Sequence, residues 1–178
     1  TANRFNAAGL DSNFAWTNNT LSSNTVIYYV GSDVTIAANN QLVLAAGAKL
    51  KFGSEAHLKV SGKIIADGTS AQNIVFTSAK NDSVCGFGHT AQLICDTNFD
   101  GSSSTPRAGD WGWLSLETGS TPGSSFRYAM FSYGGYDSFS AGALLVKGVN
   151  PVIAYSFFIS NHRGIVLYNN ARPTFTCN

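Results

Sequence analysis

Val34-Thr35-Ile36, Leu42-Val43-Leu44 and Leu50-Lys51-Phe52 each recur further along the chain, as Leu58-Lys59-Val60, Ile64-Ile65-Ala66 and Ile74-Val75-Phe76. Every triplet is apolar at both ends, the period-two mark of a strand with one buried face. Asn39, Asn40, Gly47, Gly53, Gly62 and Gly68 punctuate the intervals. Three short strands in a repeat of about two dozen residues describe one coil of a parallel β-helix. A single coil cannot bury its inner face, so coils must stack. The period returns later in the chain. Gly142–Val146 is matched to Gly164–Tyr168, Asn150–Ile153 to Arg172–Phe175, and Phe126-Arg127-Tyr128 to Ile153-Ala154-Tyr155. The expected fold is therefore all-β, a parallel solenoid with about three strands per coil.

Charged residues make up 12% of the 178 positions, about half the usual share. Ser, Thr, Asn and Gly must carry the polar surface, which suits an extracellular all-β protein with many tight turns. The formal charge is +1 with no run of Lys or Arg, so no nucleic-acid footprint is expected. No apolar segment approaches the length of a membrane span. The chain begins at Thr1, as expected of an exported protein whose leader has been removed.

From Val26 onward the pattern becomes specific. Val26–Ile36, Leu42–Phe52, Leu58–Gly62, Ala66–Thr69 and Ile74–Ser78 resemble the right-handed parallel β-helix repeats of bacterial secreted and cell-surface proteins. Such proteins often carry an Asp-Thr-Asn-x-Asp-Gly loop followed by Pro and Gly-Asp-Trp, and the same elements stand here at Asp96–Gly101, Pro106 and Gly109–Trp111. The resemblance implies the right-handed form of the fold and a secreted or surface location. Ala45-Ala46-Gly47 replaces the acidic residue and Pro that often precede this Gly, and Cys85 with Cys95 is an addition to the pattern.

Two segments fall outside the repeat. Residues 1–25 have no clear period, with Phe5, Leu10, Phe14 and Trp16 as scattered apolar anchors. They are expected to cap the open end of a β-helix domain spanning 26–178, or to serve as an assembly arm. Residues 79–110 are too long and polar for a coil corner and form an inserted loop. Cys85 and Cys95 lie close together within it, which favours a local disulfide; two free thiols or half a metal site are the alternatives. Cys177 then remains for an intermolecular or downstream bridge. Asn18-Asn19-Thr20 and Asn81-Asp82-Ser83 fit the glycosylation pattern, a match that Asn-rich sequence produces often.

Asp96-x-Asn98-x-Asp100-Gly101 is the strongest site signal. Alternating oxygen side chains across a Gly turn converge as a hard cation such as Ca²⁺ requires. Position twelve of an EF-hand would be a Glu, and here it is Arg107, so this is not an EF-hand. Asp82 and Asp110 flank the loop as further ligands. The competing reading is a turn whose side chains cap their own backbone.

For catalysis the sequence offers no residue set. Enzymes built on β-helices use clustered outward carboxylates, whereas Glu55 and Glu117 lie near turns without an acidic neighbour. His57, His89 and His162 are far apart in sequence, and His57 is out of phase with Leu58 and Val60, hence outward. Trp111 and Trp113 flank Gly112 and are expected on one side of a strand, packing the core where the loop rejoins the coil rather than stacking on sugar. The expected function is a non-enzymatic structural, adhesive or filament-forming module. It would self-associate or belong to a longer parent chain. The alternative is a carbohydrate-active enzyme or carbohydrate-binding β-helix.

Overall fold

The computed structural model describes residues 3–5, 19–21, 27–87, 93–136 and 141–178. Leu10, Phe14, Trp16 and His89 lie outside the described residues. Among the described residues five coils follow one another, each made of three strands that run in turn through three sheets. The first coil holds β3 (Ile27–Val30), β4 (Val34–Ile36) and β5 (Gln41–Leu44), and the second β6 (Lys49–Phe52), β7 (Leu58–Val60) and β8 (Lys63–Asp67). β9 (Ile74–Ser78), β12 (Leu114–Leu116) and β13 (Ser125–Arg127) form the third coil. β14 (Ala129–Ser132), β15 (Leu144–Lys147) and β16 (Val152–Ala154) form the fourth. β17 (Phe157–Ile159), β18 (Ile165–Tyr168) and β19 (Thr174–Thr176) form the fifth. Two strands from the N-terminal segment, β1 (Asn3–Phe5) and β2 (Asn19–Leu21), add to the first and third sheets beside β3 and β5. All pairings within the three sheets are parallel, so the fold is an all-β parallel β-helix.

The core is a set of in-register columns, because each inward residue stands over its counterpart one strand spacing away. Val34, Leu58, Leu114, Leu144 and Ile165 form one column in the second sheet. In the first sheet Phe76 stacks on Phe131 at 4.5 Å and Phe131 on Phe158 at 4.9 Å, both nearly coplanar. Successive coils touch closely at the corners. A Cβ on Gly62 would meet the Asn40 carbonyl oxygen at 2.1 Å, so only glycine allows that turn to lie over the one before it. Tyr128 and Tyr155 have a left-handed backbone at successive corners between the third and first sheets, and Cys177, which follows β19, has it too. The two tyrosine rings stack at 4.9 Å. Cys177 is free and exposed.

Most repeat alignments match the pairing, and two do not. Val34 pairs with Leu58, Leu42 with Ile64, Phe126 with Ile153 and Val152 with Thr174, as the triplets imply. Leu50, however, pairs with Phe76 rather than Ile74. The turn before β9 is two residues longer than the turn before β6, and a shift of two keeps every side chain on its face. Leu144 pairs with Ile165, not Val166, which displaces the expected alignment by one residue. Leu144-Leu145-Val146 and Ile165-Val166-Leu167 are unbroken apolar runs, so no alternation marks which residue faces inward. Trp111 and Trp113 also part company. Trp111 is fully buried against Phe52, while Trp113 precedes β12 on the outward side and lies 3.9 Å from the His57 ring. A Cβ on Gly112 would meet His57 at 2.3 Å, so the chain crosses the imidazole closely there and is not a regular strand.

Candidate metal centre

The excursion between β9 and β12 lies against the outer face of the first sheet. Along β6, Lys49 and Lys51 point outward because Leu50 and Phe52 point in. The Lys49 ammonium donates to the Cys85 carbonyl at 2.6 Å, and the Lys51 ammonium donates to the Cys95 carbonyl. One strand therefore anchors both arms of the excursion. Lys51, Thr77 and Ser132 are buried on this outer face. Asn81 is buried too and donates to Thr77 Oγ1 at 2.9 Å, so its role in the fold is packing.

Cys85 and Cys95 form a disulfide, as their spacing suggested, at the base of a short antiparallel hairpin of β10 (Gly86–Phe87) and β11 (Leu93–Ile94). Asp82 precedes this staple and Asp96 follows it directly. Carboxylate oxygens of Asp82, Asp96 and Asp100 lie within 4.8 Å of one another. Asp96 caps its own loop, accepting from the Phe99 N–H at 2.6 Å and the Gly101 N–H at 2.9 Å. Asn98 donates to Asp100 Oδ2 at 2.8 Å and to Ser104 Oγ at 3.0 Å. The Ser104 hydroxyl also donates to Asp100 Oδ2. The turn reading is thus realised, yet it leaves oxygens unused. Asp82 Oδ1, Asn98 Oδ1 and Asp100 Oδ1 are sealed from solvent without a hydrogen-bond partner. Orphaned buried acceptors of this kind cost free energy unless a donor or cation meets them.

The electrostatics agree with a site short of positive charge. Burial holds the Asp82 carboxyl above the ordinary range; Asp96 and Asp100 add to the rise and Lys51 opposes it. Burial likewise pushes Lys51 down to about 8, against the pull of Asp82 and Asp96. The donor set is hard oxygen throughout, which fits Ca²⁺ and its preference for roughly six to eight oxygens. Asp82, Asp96, Asp100 and the Asn98 carbonyl would hold the ion. Asp110 stands apart. It receives Lys80 at 2.9 Å, Ser78 Oγ at 3.1 Å and the Arg107 N–H at 2.8 Å, and it closes the far end of the excursion. Lys51 had no mark as a site residue in the sequence beyond its outward phase under a long loop.

Elsewhere several outward charges pair. Asp33 accepts from His57 at 2.5 Å and Lys59 at 3.0 Å. Burial raises the Asp33 carboxyl, but these two partners outweigh it and the net position is below the usual value. Glu117 accepts from Lys147 at 3.0 Å through both oxygens and from Ser115 at 2.6 Å. The chain has no match among protein-family models, curated proteins or solved structures.

Proposed function

We propose that this chain is a non-enzymatic β-helix module of a secreted or cell-surface protein, structural or adhesive in role, whose stapled loop holds a structural Ca²⁺ ion. The module reading is carried by how the outward polar side chains are spent: they join coil to coil. Asp33 reaches His57 and Lys59 in the next coil, and Glu117 reaches Lys147. Asn161 accepts from the Gly134 N–H and donates to the Phe131 carbonyl of the preceding coil. Asn178 treats Ser156 and Ile153 in the same way. A disulfide favours an oxidising compartment. β17, β18 and β19 stand at the ends of their sheets, and Leu167 and Phe175 on their inward sides are 44% and 50% exposed. A following coil, from further chain or a second molecule, would extend these sheets.

Thermal melts of the purified chain with Ca²⁺ and with chelator test the ion. A Ca²⁺ concentration about a hundred times Kd should add about 2.7 kcal/mol to the folded state, and Asp96→Asn should remove the gain. Identical melts overturn the ion. Polysaccharide turnover that is lost in Glu117→Gln would replace the module with the carbohydrate-active alternative. A chain that stays monomeric at high concentration would argue against self-assembly.

A further inference from the structure

The carboxylates of the candidate site come from opposite sides of the staple. Asp82 belongs to the arm that enters the hairpin and Asp96 and Asp100 to the arm that leaves it. Among the described residues the two arms share two backbone residue pairs, Gly86 with Ile94 and Phe87 with Leu93. A single two-stranded hairpin is by itself marginally stable at best in water. The disulfide cross-links them at their base, with the two Cα atoms 4.1 Å apart. Cys85 Sγ also lies 3.6 Å from the Asp82 carbonyl, so the staple touches the first arm's ligand-bearing residue directly. The orphaned oxygens are divided in the same way. Asp82 Oδ1 lies on one arm, Asn98 Oδ1 and Asp100 Oδ1 on the other.

Resting on the Ca²⁺ reading above, we infer that the Cys85–Cys95 disulfide is the switch of this site: the oxidised loop assembles a complete ligand set, and reduction releases Asp82 from it. The chemistry is thiol–disulfide exchange. Two equivalents of a small thiol give up two electrons and two protons in total, the Cys85–Cys95 bond breaks into two thiols, and the reductant leaves as its own disulfide. The Lys49 and Lys51 anchors do not depend on the sulfur bond, so each arm stays near the sheet while their mutual spacing is freed. The bound ion must then supply the ordering that the staple supplied before, and affinity falls.

The experiment uses the full chain with Cys177→Ser, so that no third thiol enters exchange. Ca²⁺ is titrated calorimetrically into the oxidised form, the form reduced with dithiothreitol, and a Cys85→Ser/Cys95→Ser variant, with circular dichroism checking the β-helix in each. The expected result is binding by the oxidised form and a loss of about tenfold or more in affinity for both others, equivalent to about 1.4 kcal/mol. Asp82→Asn in the oxidised form should bind as weakly as the reduced chain. Equal affinity in oxidised and reduced forms overturns the switch and leaves the ion in place. No heat of binding in the oxidised form removes the ion itself, and the switch with it.

Discussion

Lys51 is a cation in a place where alternation puts it on the surface. It sits between Leu50 and Phe52, so the period-two reading gives it an outward face, and that reading is correct. What the triplet cannot convey is that a segment from another part of the chain roofs this face, leaving Lys51 wholly buried. The same limit applies to the proposed ligands. Asp96, Asn98 and Asp100 announce themselves by spacing, but Asp82 joins them only because the staple folds its arm across. Asp110, equally near in sequence, is taken by Lys80 instead. The lysine leads to a pH test. Its folded-state value near 8 lies below the ordinary 10.5, so between these values the unfolded chain binds more protons than the folded one. Stability of the metal-free chain should therefore rise with pH across that window, since the cost of a buried ammonium is present below it and relieved above. Denaturation in urea should show this rise for the wild type, and Lys51→Met should flatten it. An unchanged slope in the variant would mean that Lys51 is not desolvated.

Elements that alternate cleanly were legible, and those that do not were misplaced. Val34-Thr35-Ile36 and Leu58-Lys59-Val60 cannot slip by one residue without turning a polar residue inward, and they pair in phase. The runs at Leu144 and Ile165 carry no such constraint, and turn length alone decided the register of β9 against β6. Trp111 and Trp113 separate because the residues before β12 bend over His57 instead of continuing a strand. Their roles are accordingly unequal. Trp111 stacks on Phe52 at 4.3 Å and its indole N–H donates to the Ser132 carbonyl at 2.8 Å. Trp111→Ala should cost about 3–5 kcal/mol, as for other large core truncations. Trp113→Ala, on the outer side, should cost about 1 kcal/mol or less. Chemical denaturation of the two variants gives the comparison directly. Equal losses would contradict the placement of the two rings.

Across the whole molecule, among the described residues, each strand of the coils is bonded only to its counterparts in the coil before and the coil after. The strands lie across the axis of the stack, so their hydrogen bonds lie along it. A pull on the two ends of the chain would load those bonds one rung at a time, and the molecule would lengthen in steps. Partner residues are 22 positions apart from Leu42 to Ile64 and 27 apart from Met130 to Phe157. At the reach of an extended chain, each released coil would therefore add roughly 70–90 Å. Optical tweezers should record a ladder of such increments; a single rip of the full contour would contradict nearest-neighbour cohesion. The coil with the excursion should give a longer step, and the sulfur bond across Cys85 and Cys95 should withhold about 30 Å of it until reduced. Under tension the solenoid would act as a graded extensible tether, with a reserve of length that only a reductant can release.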